Sequence, residues 1–285
     1  MIVWIASYPK SGNTWIRSFL YSLLYSNDHI PDFDKFDVID QYPTRKHFKK
    51  FINNFNNFRE MSKYWNASQT ELNLDKKIKF FKTHHINCKV ENNSFTELEN
   101  TLGVIHVVRD PRNIITSLKN HYSKKNYLEA LNFISDPLHC IDTENKSHKN
   151  IDKTMILNTL ISSWSNHYNS WRNFSKNYLL IKYEDLEKNP KKTFKKLTDY
   201  LEINLKFEID NKKIDKIIEL NSFENLKKIE LSKGFKEAAV NENNKKKEFF
   251  HLGPMNKWKN LLSNDIVTKI ETIFKKEMKE LKYLD

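Results

Sequence analysis

The sequence predicts an α/β fold, a single domain with a mostly parallel central sheet flanked by helices. Three observations carry that expectation. Short apolar runs at 2–6, 78–82, 103–108 and 178–183 read as strands, and the residues between several of them recur at helical spacing. Strands that alternate with helices pair in parallel, because a parallel neighbour is reached only through a crossover. Finally, the 285 residues show no internal repeat, no separating linker and no coiled-coil heptad, so residues 1–285 are expected to form one domain.

Taken in order, Ile2-Val3-Trp4-Ile5-Ala6 is a buried strand, and Trp15, Ile16, Phe19, Leu20, Leu23 and Leu24 place a helix over about 13–25. Ile78-Lys79-Phe80-Phe81-Lys82 is a second strand, and "GVIHVV" at 103–108 is the strongest strand signal. Next come Asp110, able to cap a helix, and Pro111, suited to its first position. "YLLIKY" at 178–183 is the fourth strand, with a helix starting near Pro190. Ile266, Ile270, Ile273, Phe274 and Leu281 make the tail helical over 265–284. Residues 42–60, rich in Asn, Phe and Lys, read as loop-like or helical, and "NENNKKK" at 241–247 as mobile.

No apolar stretch approaches the roughly 18–20 residues that span a bilayer, and the N-terminus lacks a basic leader, so a secretory signal is not expected. Two cysteines, Cys88 and Cys140, are too few for a disulfide framework and suit reduced thiols in a cytoplasmic protein. The net charge of +12 invites a nucleic-acid reading, but only six of the 48 basic residues are arginine and the lysines are spread along the whole chain. Such a distribution describes a solvated surface, and nucleic acid is not the expected partner.

The stretch "SYPKSGNTW" at 7–15 lies between the first strand and the first helix. A strand–loop–helix of this kind holds an anion on inward-turned N–H groups and the helix dipole. Lys10 adds a point charge, Ser11, Asn13 and Thr14 add side-chain donors, and Gly12, one of only four glycines, lets the backbone approach a ligand closely. The loop is P-loop-like without being a Walker A loop: the glycine spacing is absent, and so is the Ser/Thr that would follow a Gly-Lys pair and hold magnesium.

These residues resemble the 5′-phosphosulfate loop of the cytosolic-type sulfotransferases, whose core is Pro-Lys-Ser-Gly-Thr-Thr-Trp, with Asn13 in place of a threonine. That family moves a sulfuryl group from 3′-phosphoadenosine 5′-phosphosulfate (PAPS) to an acceptor, leaving 3′-phosphoadenosine 5′-phosphate (PAP). Five further segments agree. "VIHVVRDPRNIITSLKNHY" supplies Arg109 and, eight residues on, Ser117, which by resemblance clamp the 3′-phosphate. Lys82-Thr83-His84 matches the family's Lys-Thr-His, whose histidine is the base. "YLLIKYEDL" places Tyr183 near the adenine, with Trp15 stacking on it, and Asn221, Ser222 and Phe223 stand where a Thr-Ser-Phe lies against the nucleotide. Last, "FFHLGPMNKWK" aligns Gly253, Trp258 and Lys259, but His251 and Leu252 replace an Arg-Lys pair.

By resemblance, then, His84, Lys82 and Lys10 are the catalytic set, and transfer is in line, by analogy with phosphoryl transfer. His84 takes the acceptor proton, Lys82 and Lys10 offset developing charge, and Ser117 restrains Lys10. The donor is PAPS, and no metal is expected. Lysines 245–247 are candidates to make up for the missing Arg-Lys cations. The acceptor portion is expected to be helical and to come from 26–75 and 120–175, which carry no motif. A hydroxyl on a small molecule, sugar or glycolipid is the expected acceptor, with an amine as the alternative. Peripheral membrane contact through 42–60 and the oligomeric state stay open, the family's C-terminal dimer motif being unmatched after Lys259. The rival readings are a magnesium-dependent nucleotide phosphotransferase and a non-catalytic polyanion-binding protein.

Overall fold

Every residue of the first strand, β1 (Ile2–Ser7), is buried, and its side chains divide alternately between two cores. Val3 and Ile5 enter one cluster; Ile2, Trp4 and Ala6 enter the other. Burial on both faces is what a central strand in a parallel sheet requires, and it explains an apolar run without polar alternation. A computed structural model supplies the coordinates; the structure describes residues 1–53, 55, 57–141, 159–239 and 246–285.

From the end of β1 the chain turns into α1 (Asn13–Leu24), the edge strand β2 (Asp40–Gln41), and α2 (Phe58–Ser62) with α3 (Trp65–Asn73). The next strand is β3 (Lys79–Thr83), followed by a hairpin of β4 (Lys89–Val90) and β5 (Asn93–Ser94) and by the long β6 (Thr101–Val108). Helices α4 (Pro111–His121) and α5 (Tyr127–Ser135) precede a second hairpin, β7 (Cys140–Ile141) with β8 (Thr159–Leu160), and then α6 (Trp164–Trp171). After β9 (Tyr178–Lys182) come α7 (Tyr183–Lys188), α8 (Pro190–Leu205), α9 (Ile214–Leu220), α10 (Phe223–Lys233), α11 (Asn264–Ile273) and α12 (Lys275–Glu280).

The main sheet has the order β2-β3-β1-β6-β9 and every pairing in it is parallel. In register, Ala6 stands beside Thr83 on one side and His106 on the other, while Val108 stands beside Lys182. All five strands therefore finish at the same edge. Order reverses at β1, and in open parallel sheets such a switch point opens a crevice beyond the strand ends.

One face of the sheet is covered by α1, α8 and α9, with Phe19 stacked on Phe194 at 4.1 Å. The other face carries two further cores, one around Trp4, Trp65, Phe95 and Trp171, the other built from α4, α5, α6 and the C-terminal helices. The expected strands and first helix agree with the structure, with two differences. The tail is two short helices that break at Phe274, which leaves Ile273 exposed while Ile270, Phe274 and Leu281 are buried. Tyr183 opens α7 instead of ending β9. Residues 241–245 of the stretch expected to be mobile lie outside the described residues.

Within the aromatic-rich segment, Phe48 is fully buried, and Phe51, Phe55 and Phe58 pack against the Trp4–Trp65 core. Phe48 is spent on the core, and the other three rings are partly so. No helix among the described residues is long and apolar enough to cross a membrane.

Candidate active site

The crevice beyond the strand ends is a deep cleft, and each strand delivers to it. The lining includes Gln41 from β2, Lys82 from β3 and His84 just after it, Pro9 and Lys10 after β1, Arg109 after β6 and Tyr183 after β9.

The first turn is held by the Ser11 N–H donating to Tyr8 O at 3.3 Å, and by left-handed backbone at Lys10 (φ 68°) and Gly12 (φ 100°). Gly12 is needed for a second reason: a Cβ there would lie 2.6 Å from the Tyr183 ring. No side chain caps α1, so its first N–H groups are left to a ligand or water. Arg109, which lines the cleft beside this turn, has its Nε buried without a partner among the described residues. Buried donors are normally satisfied, and unspent ones lining a cleft mark where a polar ligand fits. The residues present therefore suit the phosphates and sulfonate of PAPS.

The second cradle joins the first directly. Arg109 Nη1 donates to Lys10 O at 3.0 Å, and its guanidinium lies over the Tyr183 ring at 3.8 Å. Asp110 caps α4 by accepting from Arg112 N and pairs with the Arg112 side chain at 2.7 Å. That keeps Arg109 out of a local ion pair and directs it toward the loop. Ser117 lines the same cleft from α4.

At the catalytic end, His84 Nδ1 lies 2.7 Å from Ser7 O. A carbonyl only accepts, so Nδ1 carries the hydrogen and Nε2 keeps a free lone pair. Burial, with Lys82 next, pushes the His84 imidazolium down to about 3, which leaves the ring neutral at working pH. Lys10 is pushed down to about 7 by burial first and then by the neighbouring Arg109, and its Nζ lies 3.8 Å over Phe249.

Twelve of the expected donor-binding residues line the cleft: Lys10, Gly12, Asn13, Thr14, Trp15, Arg109, Ser117, Tyr183, Phe223, His251, Leu252 and Gly253. Three do not. Ser11 sits behind the turn. Asn221 is fully buried; it bonds Ser18 and Ile217 O by its side chain and receives Trp15 Nε1 on its carbonyl at 2.7 Å. Ser222 caps α10 by accepting from Asn225 N. The latter two support the site from behind, since a residue ending one helix and capping the next has its polar atoms engaged locally.

Asn13 also differs from expectation. Its amide donates to Ile5 O at 2.9 Å and to Ser7 Oγ at 3.1 Å, so its side-chain donors face β1 and not the anion turn. Of the lysines expected to replace the missing cations, Lys245 lies outside the described residues, Lys246 approaches Gly234, and Lys247 donates to Asn120 O and Ser123 Oγ. Neither Lys246 nor Lys247 lines the cleft, and Glu248 does, beside His251. Glu237, Glu248, Phe249 and Gln41 are cleft residues that no motif announced. Glu237's only signal was one acid beside the apolar pair Ala238-Ala239.

Comparison with known proteins agrees with this geometry. The chain is 24% identical to cytosolic sulfotransferase 9 of Arabidopsis thaliana, over 96% of this chain and 77% of that one. It is 27% identical to sulfotransferase 1B1 of Canis lupus familiaris (96% and 82%) and 25% to the amine sulfotransferase of Oryctolagus cuniculus (98% and 81%). Among solved structures, mouse sulfotransferase SULT7A1 complexed with PAP superposes with a TM-score of 0.57 at 20% identity, covering 98% of this chain and 84% of that one. Retinol dehydratase in complex with androsterone and inactive cofactor PAP gives 0.60 at 16%, covering 98% and 80%. The family model for the sulfotransferase domain matches residues 2–282, a span that contains both anion cradles and His84. The chain belongs to the sulfotransferase domain family and is a PAPS-dependent sulfotransferase.

Proposed function

We propose that residues 1–285 act as one catalytic domain that transfers the sulfuryl group of PAPS to a hydroxyl of a small-molecule acceptor in the cytoplasm. The observation that carries this reading is the meeting of His84 with Lys10, Lys82 and Arg109 in one cleft at the sheet's C-terminal edge. PAPS supplies an activated sulfuryl group on a phosphate leaving group. His84 Nε2 accepts the acceptor's proton while Nδ1–H stays fixed on Ser7 O. Lys82 faces the side where charge gathers on the sulfuryl oxygens, and Lys10 the side where the departing phosphate oxygen gains it. Arg109, Ser117 and the His251–Gly253 strip hold the 3′-phosphate, with Tyr183, Trp15 and Phe223 around the adenine.

A neutral imidazole as base favours a hydroxyl acceptor; the relative named amine sulfotransferase keeps an amine in view as the second acceptor class. Sugar and glycolipid hydroxyls belong to the same expected class. The cytoplasmic placement is supported by the relatives named cytosolic sulfotransferases. Incubation with labelled PAPS and panels of phenols, alcohols, sugars and amines tests the reading. Label is expected in a hydroxyl acceptor, and stabilisation against heat by PAP but not by ATP with magnesium. The reverse preference would overturn it.

Arg109→Ala is expected to weaken PAP by about 1.5–3 kcal/mol, the range for a charge-assisted hydrogen bond. Adenosine 5′-phosphate, which lacks the 3′-phosphate, should lose much less; equal losses in titration calorimetry would refute the 3′ assignment. His251→Arg is expected to tighten PAP by supplying the cation the family carries there, against the opposing charge of Glu248.

PAP affinity should also fall with rising pH. The bound anions raise Lys10 above its free value of about 7, so binding takes up a proton wherever free Lys10 has lost one. Affinity is full below that value and drops by up to roughly tenfold per pH unit above it. Calorimetry in buffers of different ionisation enthalpy reads the proton directly, and Lys10→Arg, which does not titrate, should flatten the profile.

A further inference from the structure

Beside His84 the cleft holds an ion cluster built from three separate elements. Glu237, in the segment after α10, accepts from Lys82 Nζ at 2.8 Å on one carboxylate oxygen and from Arg17 Nη1 at 2.5 Å on the other. Arg17 comes from α1 and also donates to the carbonyls of Ile39 at 3.2 Å and Phe36 at 3.4 Å. The Arg17 and Lys82 side chains are 3% and 7% exposed, whereas Glu237 is 25% exposed and reaches the cleft wall.

Two cations buried side by side repel, and burial by itself disfavours an ammonium. Burial and Arg17 both push Lys82 down, and Glu237 is the group that pushes it up. Against the upward push of burial, Arg17 and Lys82 hold the Glu237 carboxyl well below the usual range, so it is ionised. The other charged or titratable groups near Lys82 are His84 two residues on and Lys10 from the first loop; the register partner on β2 is the neutral Gln41. None of these is an anion. A guanidinium does not lose its proton, so without the carboxylate the adjustment falls on Lys82.

We propose that Glu237 is a positioning residue for sulfuryl transfer: by bridging Arg17 and Lys82 it holds Lys82 as an ammonium with Nζ fixed beside His84. The inference rests on the reading above, in which that ammonium offsets charge on the sulfuryl oxygens.

Stability against denaturant as a function of pH tests the pair without donor or acceptor. Native Lys82 already releases its proton below the unfolded value of ~10.4, and in Glu237→Gln it does so at a lower pH still. The unfolded chain then holds more protons, so the variant's stability climbs relative to wild type from pH 7 to pH 10. In a Lys82→Met background the same Glu237→Gln change should produce only a smaller climb, from Lys10, which Glu237 also pushes up. A climb of equal size in the Lys82→Met background, or no climb in the wild-type background, would overturn the proposal. Should Glu237→Gln fail to fold, the Lys82→Met, Glu237→Gln double variant is expected to fold, and its failure would make Glu237 a packing residue only.

With an acceptor in hand, Glu237→Gln should shift the alkaline limb of kcat/KM down by at least about one pH unit, and Glu237→Asp should restore most of it. In Lys82→Arg enzyme the limb should move less, by the share that Glu237 gives Lys10; a movement of equal size there belongs to Lys10 and not to Lys82. If the stability result holds and wild type sulfates nothing, the ion-pair assignment stands and the catalytic reading falls. If wild type sulfates and stability shows no climb, Glu237 has lost the role proposed.

Discussion

His84→Ala is expected to lower kcat/KM for sulfation by ~10²–10⁴-fold, the usual range for a positioned general base, with PAP affinity nearly unchanged. The two halves of that expectation have separate causes. His84 is fixed through Nδ1, which lies 2.7 Å from Ser7 O and 3.3 Å from Ser7 Oγ, and its ring lines the cleft. The nucleotide-facing residues stand elsewhere, on the first turn, the end of β6 and the start of α7. Lys10→Ala should behave differently, losing PAP affinity as well as turnover, because on the proposed reading Lys10 belongs to the turn that holds the phosphate. Retained turnover in His84→Ala would show that the base is misassigned; a large loss of PAP affinity would place the ring on the donor.

The second large effect is acid lability of the fold. His85, His106 and His167 are buried, and burial is the leading cause that lowers each: His85 to about 4, His106 to about 3, and His167 well below the ordinary value. Each has an Nε2 without a partner among the described residues, so protonation would place an unsatisfied charged N–H in the core. Unfolded histidine titrates near ~6.5. Between that value and about 4 the unfolded chain therefore holds up to three more protons than the native one on these groups, and stability falls with falling pH. Each proton is worth about 1.4 kcal/mol per pH unit, or up to about 4 for the three. Against a total of ~5–15 kcal/mol for a typical domain, the protein is expected to unfold before pH 4. Denaturant midpoints measured from pH 7.5 to 4 check this, and His106→Gln should reduce the slope by one proton. A flat profile above pH 5 would mean the three rings are already charged or hydrated.

How much was legible beforehand follows from the range of each interaction. Two-faced burial writes an uninterrupted apolar run, so β1, β3, β6 and β9 could be read from local sequence. Asp110 and Pro111 announced α4 because capping is local too. By contrast β2 is two residues long, pairs with β3 only after α2 and α3 intervene, and has no pattern to display. The phenylalanines of 42–60 looked like a surface for a partner because composition says nothing about which way a ring points. Contact with Trp4 and Trp65 decided that.

The site divides in the same way. Lys10, Lys82, His84, Arg109, Ser117 and Tyr183 come to one cleft, since their motifs stand at or just beyond strand ends and parallel strands finish together. Asn13, Asn221 and Ser222 matched motif positions, yet their side chains turn to β1, α1 and α10 instead. Glu237 had no motif at all, and reaches Lys82 across 155 residues of sequence.

By itself, then, the sequence determined the alternation of strands and helices, the strand–loop–helix turn at 7–15, and the residues that stand at the strand ends. Those depend on neighbours within a few positions, where backbone geometry and burial pattern leave a local imprint. Only the tertiary structure decided which strand lies at the centre, which polar atoms stay unspent for a ligand, and which carboxylate balances the buried cations. Charge balance in a low-dielectric cleft depends on distance in space, and the chain carries no local record of it.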